Sequence, residues 1–224
     1  MIDEEAKATK EIAKTTGKVV DAARECGKFI SKFIAGPLEQ GMGIFEDKLK
    51  YMRWERQLSF MEKANKILTD RGLKVPNRTV PMKIAIPLFQ AATVEDDDDL
   101  QSVWANLLVN AADKESGVEV TRNFVSILQD MSFVEVQILE KIYSTKKNPE
   151  DVIWTQDLPE IALTEMPNEN LSGPKEEVAL ALSNLSRLGL LDLGILCSGA
   201  RAMHAVDDTV LGRKLYEACT AKRK

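Results

Sequence analysis

The chain has 224 residues, 44% of them hydrophobic, 29% charged and 6% aromatic, with a net charge of −5. That is enough for one large domain or two small ones around a real core, and apolar weight carried by Leu, Ile, Val, Ala and Met favours helices packed on helices. A single histidine, His204, excludes most histidine-built zinc sites; the three scattered cysteines, Cys26, Cys197 and Cys219, suit a reduced protein; and no apolar run of about 18 residues marks a membrane span.

Charge is uneven along the chain. Residues 1–75 hold 15 basic and 12 acidic groups, residues 76–130 hold 4 and 9, and residues 131–224 hold 11 and 14. Only the first third leans basic, so attraction to nucleic acid or anionic lipid would begin there. The opening "MIDEEAKATK" has no apolar stretch behind it and does not read as a secretory signal.

From Asp3 to Ala35 the pattern is helical. Ile12, Thr16, Val19, Ala23, Cys26, Ile30 and Phe33 recur at steps of three and four, one stripe down a helix, with lysines mostly elsewhere. A basic amphipathic helix of this kind can lie in a membrane interface or meet a partner through Ile12, Val19, Ile30 and Phe33; the same stripe can equally be core packed on the next helix. Gly36-Pro37 ends it.

A second helix is expected from about Leu38 to Asp70. Leu38, Met42, Phe45, Leu49 and Met52 keep near-heptad spacing, the mark of a seam that pairs with a second copy. Unbroken, it would be on the order of 50 Å long. The two long helices form either a homo-oligomer, most simply a dimer, or an antiparallel hairpin turned at Gly36-Pro37.

"RGLKVPNRTVP" (71–81) reads as a linker and "MKIAIPLFQAA" (82–92) as a short buried helix or turn around Pro87. The acidic run Glu95 to Asp99 comes next. Thr93 and Asp96 have the spacing of a capping box, and Leu100, Val103, Trp104, Leu107, Leu108 and Ala111 then share one helical face. Acids at a helix start are stabilised by the partial positive charge there, which accounts for the run. Asp96 and Asp99, three apart, are weak candidates for a hydrated Mg²⁺ or Ca²⁺. Trp104 and Leu107 are expected in the core. "TRNFVSILQD" (121–130) makes one more short helix.

Ser132 and Glu135 form another capping box, opening a helix through Tyr143. Asp157-Leu-Pro-Glu160 reads as a further helix start running to Glu165. Ser172 or Gly173 is expected to cap a helix beginning at Pro174 and stopped by Gly189. Two β-like runs, 190–196 and 203–206, then form a ribbon, and "TVLGRKLYEACTAK" closes as a helix. This order and the string "NLSRLGLL…DDTVLGRKLYEAC" resemble a winged-helix unit, with Thr209, Gly212 and Leu215 filling the pattern of its closing helix. The helix that would enter a groove begins with Lys175, Glu176 and Glu177. Ser183 and Asn184 are placed to touch bases, but phosphate binding needs a basic frame that this stretch lacks.

The expected architecture is therefore mainly α: a long helical hairpin or amphipathic segment in 1–75, a helical bundle in 76–130, and a winged-helix-like unit with a small β-ribbon in 131–224.

The segments "AKATKEIAKTTGKVVDAA", "GPLEQGMGIFEDKLKYMRWERQ" (36–57), "VPMKIAIPLFQAATVEDDDDLQSVWANLLVNAAD" (80–113) and "VEVQILEKIY" (134–143) resemble the Abi-alpha family. This bacterial family is linked to abortive infection, in which an infected cell dies or stops growing before phage can spread. The resemblance implies a defence role and carries over no catalytic residue. With no paired histidines, phosphate loop or nucleophile motif, the chain is expected to be no enzyme and to use no cofactor. It is expected to be cytoplasmic or peripheral to the inner membrane, and to act through contacts with itself, a protein partner or phage trigger, or the membrane surface. The alternative is a winged-helix regulator that binds nucleic acid.

Overall fold

The computed structural model describes residues 21, 24–34, 54–148, 151–165, 173–195 and 201–220. Ile12, Val19 and the seam from Leu38 to Met52 lie outside them. The described helices are α1 (24–31), α2 (Trp54–Asp70), α3 (Met82–Val94), α4 (Asp98–Ala112), α5 (Arg122–Gln129), α6 (Phe133–Thr145), α7 (Glu176–Arg187) and α8 (Val210–Cys219). A 3₁₀ turn covers Lys114–Ser116, and the strands are β1 (Ile153–Trp154), β2 (Leu191–Ile195) and β3 (Arg201–Asp208). The chain is mainly helical with one small antiparallel sheet. It divides into two compact units, 1–122 with 221–224, and 123–220. That boundary differs from the three segments expected from sequence, because α2 buries Phe60, Ala64 and Leu68 in the same unit as α3 and α4.

In the first unit α2, α3 and α4 pack on one another. The interior is aromatic. The Phe89 ring on α3 meets Phe60 at 5.8 Å, Phe33 at 6.1 Å and Phe29 at 6.2 Å, all edge-on, and Phe29 lies 4.9 Å from Phe33. Edge-on rings at such distances add roughly 0.5–1.5 kcal/mol per pair beyond the area they bury. Ile30 and Phe33 are therefore interior here, as are Trp104 and Leu107 on α4. α3 spans 13 residues with Pro87 inside it, which removes one intrahelical hydrogen bond.

Polar groups tie this unit together where apolar ones cannot. Gln101, fully buried, donates to the Arg56 and Ala92 carbonyls at 3.0 Å each and accepts from the Ser59 hydroxyl at 2.8 Å, joining three helices. At the other end of α4, Arg78 donates to the carbonyls of Ala111 (2.7 Å) and Asn110 (2.5 Å), helix-end acceptors that lack partners within the helix, and to that of Val118 in the following loop (3.0 Å).

In the second unit the sheet order is β1-β3-β2, both pairings antiparallel. The ribbon expected at 190–206 is β2 and β3. Strand β1 was not expected: it is two residues long, too short for alternation to mark it. The helix expected over 157–165 is absent. Ile161 N–H donates to the Asp157 carbonyl at 2.8 Å, closing one turn, and Trp154 N–H then donates to Leu163 at 2.8 Å, which draws the chain back to the sheet before a second turn can form. α7 begins at Glu176, two residues later than expected. Its N-cap is Lys175, whose side chain makes no capping hydrogen bond, so Gly173 does not cap it; Ser172 lies outside the described residues. The Ser132–Glu135 capping box is formed in full.

Candidate functional site

The acidic run sits between α3 and α4. Thr93 does not cap α4 as expected. It lies buried in the last turn of α3, and its hydroxyl donates to the Phe89 carbonyl at 2.7 Å. The cap is Asp97, whose Oδ1 accepts from Asp99 N–H (2.9 Å) and Leu100 N–H (2.8 Å). Asp98 pairs with Arg56 at 2.8 Å and Lys63 at 3.7 Å on α2, and the Arg56 hydrogen bond above all holds its carboxyl below the usual range. Glu95 accepts from Asp97 N–H at 3.1 Å. Asp96 stands before the cap and Asp99 in the first turn; among the described residues no three His, Cys, Asp or Glu side chains converge on a metal position.

In the second unit the closing pattern builds a polar hub. Tyr143 on α6 donates to the Leu190 carbonyl at 2.7 Å and accepts from Thr209 N–H at 3.0 Å. Burial pushes its phenol above the ordinary tyrosine value, keeping it a donor. The Thr209 hydroxyl caps α8 through Gly212 N–H at 2.9 Å and donates to Gly189 at 2.7 Å. Gly189 has φ +73°, the left-handed conformation that lets α7 stop and β2 begin. Gly212 is there for space: a Cβ would stand 2.1 Å from both the Leu190 carbonyl and the Tyr143 hydroxyl. Beside the hub, the fully buried Lys146 side chain pairs with Asp207 and, at 2.7 Å, with Asp208, which also holds Arg213 at 2.5 Å. Burial lowers the Lys146 pKa and raises that of Asp208. In each case the ion-pair bonds outweigh it, so the ammonium is raised and the carboxyl lowered. No local signal marks the lysine's place in this group, because Asp207 lies 61 residues from it.

The exposed side of α7 is the surface on which the two expected modes of recognition differ. Ser183 donates its hydroxyl to the Ala179 carbonyl at 2.8 Å. Asn184 donates its amide to Glu135 Oε1 (2.6 Å) and the Asp130 carbonyl (3.0 Å), and accepts from Arg187 Nε at 2.8 Å. Both side chains are therefore occupied within the unit. The two cations of the stretch face acids, Lys175 with Glu160 at 3.9 Å and Arg187 with Asp130 at 3.7 Å. Glu176, Glu177 and Leu180 remain, the leucine 73% exposed.

A scan of known families matches residues 55–219 to abortive infection alpha, and that span covers most of both units. The chain belongs to the abortive infection alpha family. Membership links it to abortive infection, a defence process. No curated protein and no solved structure matches it. No described helix of this family member is long and apolar enough to cross a membrane.

Proposed function

We propose that this abortive infection alpha protein acts in the cytoplasm without catalysing a reaction, by docking another protein on the exposed face of α7. The observation that carries this reading is the engagement of Ser183 and Asn184, which removes the two groups placed to read bases. What remains is acidic with one large apolar side chain. Such a face repels phosphates, whose binding needs cations, and suits a protein surface with an apolar anchor. The order α6, β1, α7, β2, β3 and the sheet order β1-β3-β2 support folding of the second unit as a winged helix. That topology favours the second reading, a nucleic-acid-binding regulator, while the charges of α7 oppose it.

Membrane contact through the α1 stripe would first have to expose Ile30 and Phe33, so this route belongs to a triggered state. Self-association through Leu38, Met42, Phe45, Leu49 and Met52 stays with the proposal as its assembly mode.

The test is a phage challenge of bacteria expressing Glu176→Lys with Glu177→Lys, or Leu180→Asp, beside a gel shift of the wild type on duplex DNA at low salt. All three positions are exposed, so the variants are expected to fold. Loss of protection with no DNA shift is the expected result. Full protection together with a DNA shift would replace this reading with the nucleic-acid regulator.

A further inference from the structure

We infer that the second unit carries a groove for an arginine-bearing segment of another protein, running from a cleft beside α6 to the first turn of α7. This rests on the protein-docking reading above and names the chemistry of the partner. The cleft has a volume of about 390 Å³ and lies between α6 and the 156–160 turn. Gln137, Glu140, Lys141 and Ser144 line it from one face of α6, and Pro159 and Glu160 from the turn. Its volume is near the lower end of ligand clefts, so it has room for a long side chain and its flanking backbone rather than a helix.

The charges say which side chain. Glu140 and Glu160 bring a carboxylate to each wall, with Lys141 as the cation among the lining residues. Glu160 also reaches Lys175, the residue before α7, at 3.9 Å, which brings the rim of the cleft to the start of that helix. Glu176 and Glu177 follow directly, and neither they nor Glu140 form an ion pair among the described residues. Four carboxylates thus meet two ammonium groups along one path. Two large apolar side chains flank it, Ile161 at 54% exposure and Leu180 at 73%. A guanidinium matches carboxylates with a planar fork of donors, and its bonds to them are charge-assisted. An apolar neighbour on the same segment would cover Ile161 or Leu180. Duplex DNA and anionic lipid carry the wrong sign for this path.

The test uses the full chain, ¹⁵N-labelled, and the peptide acetyl-Ala-Arg-Ala-Ala-Leu-Arg-Ala-amide, with a control in which glutamate replaces both arginines. Amide shifts confined to 137–144, 159–161 and 175–180 are expected with the arginine peptide and none with its control. Calorimetry on Glu140→Gln with Glu160→Gln should show binding weakened by on the order of tenfold, as two charge-assisted bonds are lost. Neutralising Glu62 and Asp70, exposed acids of the first unit, should leave it unchanged. Shifts elsewhere, equal binding of the control peptide, or equal binding by the cleft variant overturns the inference. Tighter binding of a peptide of residues 6–20, which carry Lys7, Lys10, Lys14 and Lys18, also overturns it, by reassigning the groove to a second copy of this chain. In the phage challenge, protection that survives the cleft variant but not the α7 variants sinks the groove and leaves the docking reading standing. Protection that survives both sinks the two together.

Discussion

The two units solve the same problem with different materials. The first closes around rings: Phe29, Phe33 and Phe60 converge on Phe89, with Trp104 and Leu107 also buried, and the buried Gln101 links three of its helices. The second has an aliphatic core, with Ile138, Ile142, Leu182 and Leu185 buried, and ties it with directed polar bonds: one tyrosine hydroxyl joins the end of α7 to the start of α8, and a buried lysine holds two aspartates. An apolar interior tolerates small shifts of its parts. A hub of directed hydrogen bonds does not, and it fixes where α7 points. The proposed docking face stands on the more directional of the two units.

Site-resolved alkylation separates them, because each unit holds one described thiol. Desolvation pushes Cys26 in the first and Cys219 in the second up to about 12, so both are protonated while folded; Cys26 is buried and Cys219 half-buried, and each should label faster once its unit unfolds. Peptide mapping after timed alkylation in increasing urea then reports each unit by its own cysteine. Phe89→Ala should have the largest effect, about 3–5 kcal/mol. It should advance Cys26 labelling and leave Cys219 where it was. Gly212→Ala should cost the second unit about 3 kcal/mol, at the upper end of overpacking effects, because one of the two obstructing groups is a backbone carbonyl. Here Cys219 should label early and Cys26 should not move. Simultaneous labelling of both thiols in either variant would show that the units unfold as one.

Gln101→Leu should cost about 1–3 kcal/mol, since it strands the Ala92 carbonyl, one of the last of α3, in the interior. It should act on Cys26 alone.

Acid sharpens the comparison with smaller effects. Asp113 in the first unit and Asp208 in the second have folded pKa values held below the ordinary 3.8. For Asp113, burial pulls upward, but the Glu115 N–H, Arg71 and Asn77 outweigh it. A lowered carboxyl contributes stability that is whole above its unfolded pKa and is lost as pH falls through the folded one. Melting temperature should therefore hold level through neutral pH and drop below about 4. Asp113→Asn and Asp208→Asn should each flatten that drop in melting temperature. An unchanged acid limb in both variants would remove these carboxylates from the account.

What the residues announced beforehand was local. Ser132 and Glu135 are three apart, so their capping box was legible and it formed. Thr209, Gly212 and Leu215 carry a spacing that marks the closing helix, and the stripe through Trp104 and Leu107 marks the core. The cap of α4 was misread because the run of acids offers several equivalent caps, and Thr93 was taken up by the preceding helix. The 157–165 helix failed because a partner in β1, outside any local window, claims Leu163. Asn184 looked free on its helix, and only the fold brings Glu135 and Asp130 to it. Of the candidate face, Glu176 and Glu177 were evident as acids that oppose phosphate binding. The cleft beside α6 was not, since its walls come from separate stretches of chain.

Gly212 has a consequence at the level of the gene. Every single-base change of a glycine codon that alters the amino acid introduces a side chain with a Cβ. No one-step amino-acid change at position 212 can therefore keep a hydrogen where the Leu190 carbonyl and the Tyr143 hydroxyl close in. Val210 and Leu211, exposed in the same turn, have no such restriction from packing. In a library of random variants selected for phage resistance, position 212 should stay nearly invariant beside two neighbours that vary freely, although its own side chain is a single hydrogen atom.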